Sequence, residues 1–226
     1  MNLRQRAEQL TKDLVAHGSV VGSPGEAHIA RYIYNILAEH PYFQKYPDQL
    51  LLQTTEKDDH IRYNVIALVK GEQRSCKDAI LLLGHMDTVG IDDFHDLKNV
   101  AFSPESLKTH LQQMTFPKDV EKDIHSEKWM FGRGILDMKS GLAAHIAVLE
   151  ELANHTEALT GNLFFLAECD EEDNSRGILS ALPEIERLCQ KHSLVMKGAI
   201  NADYTAPRFP GDDSRYLYYG TVGKQL

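Results

Sequence analysis

Hydrophobic positions recur along the chain with two alternating periods. Leu3, Ala7, Leu10 and Leu14 fall at spacings of four and three, one face of an amphipathic helix over residues 2–17 that Gly18 ends. Ser23-Pro24-Gly25-Glu26 reads as a second helix start, with Ser23 as cap, proline at the first helical position and Glu26 completing a capping box. Tyr32, Ile33 and Ile36 form its expected core face, and Pro41 and Pro47 break the next segment into a loop. Residues 50–52 and 63–69 have the apolar run of strands, and 71–78 is a polar turn. The continuous run 80–83 reads as a strand buried on both faces, and its closeness to 63–69 makes the two expected sheet neighbours.

Residues 92–128 are mostly polar, with one expected helix from Ser103-Pro104 to about Gln113; a segment this long beside a strand end reads as a functional flap. Apolar character resumes at Trp129-Met130-Phe131, and Leu142, Ile146 and Leu149 mark a helix from about Lys139 to Leu152. Residues 163–167 are a second buried strand. A helical stretch over 177–192 should kink or divide at Pro183, and 198–202 is a third short apolar run. With no internal repeat, strands alternating with helices indicate an α/β layer fold: a mixed, mostly parallel sheet flanked by helices.

Composition narrows the function classes. At 226 residues, 42% hydrophobic and 25% charged, the chain can bury a substantial core. No apolar run approaches the ~20 residues that span a bilayer, and the N-terminus lacks a signal-peptide pattern, so a cytoplasmic location is expected and a membrane partner is not. Cys76, Cys169 and Cys189 are odd in number and scattered, which argues for buried thiols over a disulfide framework or structural zinc cluster. A net charge of −9 argues against a nucleic-acid partner and for a small-molecule substrate.

The candidate chemistry lies where each apolar run stops. Residues 80–83 lead into His85 and Asp87, which share one side of an extended chain; 163–167 lead to Glu171 and Glu172, 198–202 to Asp203, and Asp137 precedes a helix. The carboxyl ends of strands are where α/β sheets bind ligands. Carboxylates converging there repel one another unless a cation or a proton intervenes. Mixed histidine and carboxylate donors suit zinc, and also manganese or cobalt, better than calcium or magnesium. Each residue also has a plainer reading: Asp137 as a helix cap, His85 with Asp87 as a satisfied polar pair, and 168–173 as a solvated acidic loop. His60, His95, His110, His125 and His155 are expected at the surface, and Lys139 in a solvated first helical turn. No GxSxG elbow exists, and Gly220 to Gln225 has the wrong glycine spacing for a phosphate-binding loop.

Three blocks in order carry a family resemblance. Gly84-His85-Met86-Asp87-Thr88-Val89, Gly132-Arg133-Gly134 leading to Asp137-Met138-Lys139-Ser140-Gly141, and Asp170-Glu171-Glu172 resemble the signatures of the M20 metallopeptidases, a group of di-zinc aminoacylases, deacetylases, desuccinylases, carboxypeptidases and aminopeptidases. The run from Ile200-Asn201-Ala202-Asp203 to Gly211-Asp212 is similar to a RocB-like, arginine-utilisation branch. The resemblance implies a zinc-peptidase-like catalytic domain in which His85 and Asp203 bind one zinc, Asp137 bridges both ions and Glu172 binds the second. It makes Asp87 the partner that holds the His85 ring and Glu171 the base that takes a proton from a metal-bound water attacking an amide. It implies a small amide or peptide substrate, possible involvement in arginine catabolism being carried by the branch alone. Residues 1–219 are then the N-terminal part of an incomplete catalytic domain, and 220–226 the start of a connection to a lid through which the full-length protein would form a homodimer. The second zinc's histidine is expected beyond Leu226, so weak metal occupancy and little turnover are expected of this chain alone. The rival reading is a non-catalytic or truncated fragment that keeps the fold as a binding or assembly module.

Overall fold

The computed structural model describes residues 1–73, 76–209, 211, 212, 214 and 216–220. Its frame is a five-stranded sheet of β1 (Leu50–Thr54), β2 (Tyr63–Lys70), β3 (Asp78–His85), β4 (Asn162–Glu168) and β5 (Val195–Asn201), in the order β1-β2-β4-β3-β5. The first two pairings, β1 with β2 and β2 with β4, are antiparallel, and β4 with β3 and β3 with β5 are parallel. The sheet is mixed as the sequence implies, but β2 and β3 are not neighbours. The helical crossover from β3 to β4 returns the chain between them, so β4 becomes the central strand.

Seven helices pack around this sheet: α1 (Leu3–Ala16), α2 (Pro24–Ala38), α3 (Pro41–Lys45), α4 (Pro104–Leu111), α5 (Lys118–His125), α6 (Ser140–Asn154) and α7 (Arg176–His192) among the described residues. The period of two in the strands divides the core. Val65, Ala67, Val69, Leu163 and Phe165 face a cluster with α1, α2, α3 and α6, while Ile66, Leu68, Phe164 and Leu166 face α7. Both faces of β4 are therefore covered. β5, at the edge, has no buried residue.

Local details depart from the sequence pattern in instructive ways. An unexpected capping box opens α1, with Asn2 and Gln5 exchanging bonds of 2.9 and 3.1 Å. In α2 the buried row is Ile29, Ile33 and Leu37, one residue round from the expected face. Ser23 does cap α2, accepting from Gly25 N at 3.2 Å, but Glu26 turns inward and is fully buried, so no capping box forms. Pro183 does not divide α7 into two helices. It lies on the exposed side, where water can satisfy the carbonyl its missing N–H leaves free. The polar stretch after β3 is anchored by buried Ala101, Leu107 and Ile124, and it contains α5 in addition to the expected α4. Among the described residues no helix is long and apolar enough to cross a membrane.

Candidate metal centre

Three loops meet at the carboxyl ends of β3, β4 and β5. β3 carries His85 into the interior, followed by a fully buried Asp87. Asp137 arrives on an irregular turn just before α6. Gly134, at φ +78°, accepts from Lys139 N at 2.8 Å to close that turn, and the Asp137–Met138 peptide bond within it is cis. At Gly141 a Cβ would lie 2.1 Å from the Ala202 carbonyl oxygen, so only glycine lets α6 start against the chain leaving β5.

The result is a compact donor set. One ligand atom each from His85, Asp137 and Glu172 lies within 4.8 Å of the others. His85 Nδ1 donates to the Asp87 carbonyl oxygen at 3.1 Å, which leaves Nε2 facing Asp137 Oδ1 at 2.9 Å. Both of those atoms are acceptors, so the contact requires a proton or a cation between them. The Asp87 carboxylate does something other than expected. Its Oδ1 is 3.8 Å from His85 Nδ1, too far to hold the ring, while the carboxylate accepts from the backbone N–H groups of Glu172, at 3.0 Å, and Glu171. The backbone of Asp87 orients the histidine, and its side chain orients the acidic loop.

Charge is crowded here. Burial alone would lower the His85 pKa, but Asp87, Asp137, Glu171 and Glu172 outweigh it and hold the ring above its ordinary value. Burial raises Asp87 and Glu172, the latter further through Asp137. Glu168, paired with His85 across the β3–β4 ladder and buried, is pushed up to about 7 by burial and then by Glu171. Asp203 is exposed and outside the compact set. Its pKa is raised by burial of part of the side chain and then by Asp137 and Glu171, with His85 opposing, so it shares the field of the site. Carboxylates raised together mark a place where added positive charge is stabilising.

Sequence reasoning missed several groups that support this centre. Lys139, expected in solvent, is completely buried: its Nζ donates to the His17 carbonyl at 2.8 Å and lies 5.7 Å from the Phe102 ring centroid. Burial pushes its pKa down to about 7. Behind the acidic loop, Arg62 is buried among Glu26, Asp58 and Asp170. No local pattern distinguishes these charges from surface ones, since their partners are remote in sequence. His60, His95, His110, His125 and His155 are exposed, as expected. Residues 221–226, where the connection to a lid was expected, lie outside the described residues, as do Pro210 and the turn residues 74 and 75.

The donor chemistry fits a divalent ion. Bonds of about 2.1 Å would place two donors of one tetrahedral ion roughly 3.4 Å apart, so a set within 4.8 Å can close on an ion by side-chain rotation. A mixed α/β sheet with histidine and carboxylates gathered at its strand ends defines an α/β fold with a candidate metal centre. Residues 81–206, over half of the chain, match the model of "Peptidase family M20/M25/M40". The chain belongs to this family, which is metal-dependent.

Each relative is matched over only part of its own length. The chain is 40% identical over 226 residues to Protein RocB of Bacillus subtilis (strain 168), covering all of this chain and 40% of that protein. It is 28% identical over 117 residues to N-formyl-4-amino-5-aminomethyl-2-methylpyrimidine deformylase of Halalkalibacterium halodurans, covering 52% of this chain and 23% of that one. In fold it is similar to the M20 family metallo-carboxypeptidase Sso-CP2 from Sulfolobus solfataricus, with a TM-score of 0.58 at 18% identity over 94% of this chain and 39% of that one. The chain thus spans about 40% of the length of RocB.

Proposed function

We propose that the chain forms part of a metal-dependent hydrolase of amide bonds acting on small N-acylated amino acids or peptides. The observation that carries this reading is the convergence of His85, Asp137 and Glu172 within 4.8 Å, with Glu171 one residue from a ligand. His85, Asp203 and Asp137 would hold one ion, and Asp137 and Glu172 would contribute donors to a second. When bound, zinc, or manganese or cobalt in its place, polarises the scissile carbonyl and acidifies water. Glu171 accepts the proton of the attacking water and returns it to the leaving amine. Asp87 fixes Glu171 and Glu172 through their backbone N–H groups, and its carbonyl keeps the proton of His85 on Nδ1 so that Nε2 remains a donor to metal.

Membership of a peptidase family and the similarity to a deformylase, whose name describes removal of an N-formyl group, support a small amide substrate. The resemblance of the run over 200–212 to an arginine-utilisation branch is the ground for a substrate connected with arginine catabolism. A purely binding role would relax the need for a base and ligands together, and here His85, Asp137, Glu171, Glu172 and Asp203 are all retained.

The test combines zinc titration with a hydrolysis panel of N-acylated amino acids and dipeptides, run on this chain and on a chain of the relatives' length containing it. Glu172→Ala and Asp203→Ala should each lower zinc binding. Glu171→Gln should keep zinc and lose hydrolysis by roughly 100-fold or more. Zinc content indifferent to both ligand changes, or full turnover in Glu171→Gln, overturns the reading.

A further inference from the structure

The loop from Asp170 to Ser175 carries the proposed base and one proposed ligand, so what fixes it decides the geometry of the site. On the metal side it is held through Glu172 N and Asp87. On the opposite side it is anchored through Asp170, which is fully buried and has a left-handed backbone at φ +62°. Its N–H donates to Glu26 Oε1 at 3.1 Å. Its carbonyl accepts from Ser175 N at 2.6 Å, and its carboxylate accepts from Arg176 N at 3.1 Å, which ties the two ends of the loop together.

Arg62, 3% exposed and immediately before β2, is the cation that makes this arrangement tenable. Its Nε lies 3.0 Å from Glu26 Oε2, and its Nη1 meets Asp170 Oδ1 directly and Asp58 Oδ2 at 3.6 Å. Glu26 also accepts from Gly22 N at 2.7 Å, and Asp58 is paired with Arg176 at 3.3 Å. Without Arg62, Glu26 and Asp170 would either repel each other or have to take up a proton, and either change would fall on the residue that precedes Glu171. The planar guanidinium meets the two carboxylates with separate nitrogens of one rigid fork, a geometry that an ammonium on a flexible stem does not reproduce.

We propose that Arg62 is a positioning residue for Glu171 and Glu172, acting through Asp170 and Glu26 to hold the acidic loop against the metal centre. The inference rests on the roles given to Glu171 and Glu172 above. It separates Arg62 from an ordinary buried ion pair because it predicts a change in the loop and in metal affinity beyond the loss of stability.

The experiment compares the full chain with Arg62→Lys, Arg62→Met, Glu172→Ala and Leu188→Ala, the last removing a buried side chain of α7 in the apolar cluster against the sheet. Zinc affinity by competition titration is read alongside amide hydrogen exchange over residues 171–174. Arg62→Lys should fold, lower zinc affinity roughly 10- to 100-fold and speed exchange in the loop. Leu188→Ala should lower the melting temperature while leaving both readouts unchanged. Should Arg62→Met fail to fold, Arg62→Lys decides. Loop exchange in Arg62→Lys equal to wild type, or accelerated as much by Leu188→Ala, overturns the proposal. If Glu172→Ala leaves zinc affinity intact, the ligand assignment has failed, and the loop exchange still decides the role of Arg62.

Discussion

β4 and β5 both lie parallel to β3 and release their chains at the same end of the sheet, yet β4 is buried at all seven positions and β5 at none. The loops at their ends differ in the same way. After β4, the Asp170 to Ser175 loop is tied to Asp87, Glu26 and Arg62, and Glu172 reaches His85 and Asp137. After β5, Asp203 is exposed, and its side chain accepts only from its neighbour Tyr204 N, at 2.8 Å, among the described residues. An apolar run ending in an acid therefore specifies where a ligand enters the site. Whether that ligand is held there depends on what packs around the strand beneath it.

The largest expected effect separates the covered side from the open one by pH. His145 of α6 is buried, and burial depresses its pKa to about 4 from 6.5, against a hydrogen bond to the Leu83 backbone. Above pH 6.5 the ring is neutral in both states and costs nothing. As pH falls from 6.5 towards 4, the unfolded chain takes a proton that the folded chain refuses, so stability declines, by about 3 kcal/mol in all. Glu26 and Glu168, both raised to about 7 by burial, favour the folded state as pH falls through the same range and oppose this trend. Urea unfolding of wild type and His145→Gln across pH 4–7 cancels the carboxylates in the difference. Parallel stability curves for the two proteins would mean that α6 does not seal this face.

Zinc itself should sharpen the contrast. The loop after β4 is already held by three sets of contacts, so ion binding should change its amide exchange little. The segment 202–204 should gain protection of roughly tenfold, equivalent to about 1.4 kcal/mol, as Asp203 is drawn onto the ion. Equal protection on both sides would show that β5 is preorganised as well, and no change at 202–204 would remove Asp203 from the ligand set.

The sequence made much of this frame readable for a physical reason. Apolar runs buried on both faces, such as the one in β4, need no partner information to be recognised, and an acid or histidine at their ends has no packing role to hide behind. His85 and the acids that follow β4 emerge on that basis, whereas Asp137, which precedes a helix, and the choice of Glu172 as a ligand rest on the resemblance to the M20 signatures. What stays hidden depends on contacts between distant residues: Glu26 meets Asp170 at a separation of 144 positions, and its spacing from Ser23 alone suggests a capping box. Lys139 looks like a solvated helix-start residue until Phe102 and the His17 carbonyl close over it. The place of β4 between β2 and β3 is equally invisible locally, because the adjacency of strands comes from the crossover and not from their own residues.

The smallest effect is expected where the comparison is most exposed to failure. Ile200 sits opposite Leu82 in the β3–β5 ladder and is 50% exposed. Replacing it with lysine removes little buried apolar area and leaves the ammonium in water, so Ile200→Lys should change unfolding stability by no more than about 0.5 kcal/mol. A charge on an edge strand also discourages pairing between chains, so the variant should self-associate less as concentration rises. The same substitution at Phe165, fully buried on β4, would strand a charge between sheet and helices and should prevent folding. Urea midpoints and sedimentation at two concentrations decide the matter. A loss above about 2 kcal/mol in Ile200→Lys would mean that something covers β5 in solution, and Asp203 would then belong to a buried half of the site.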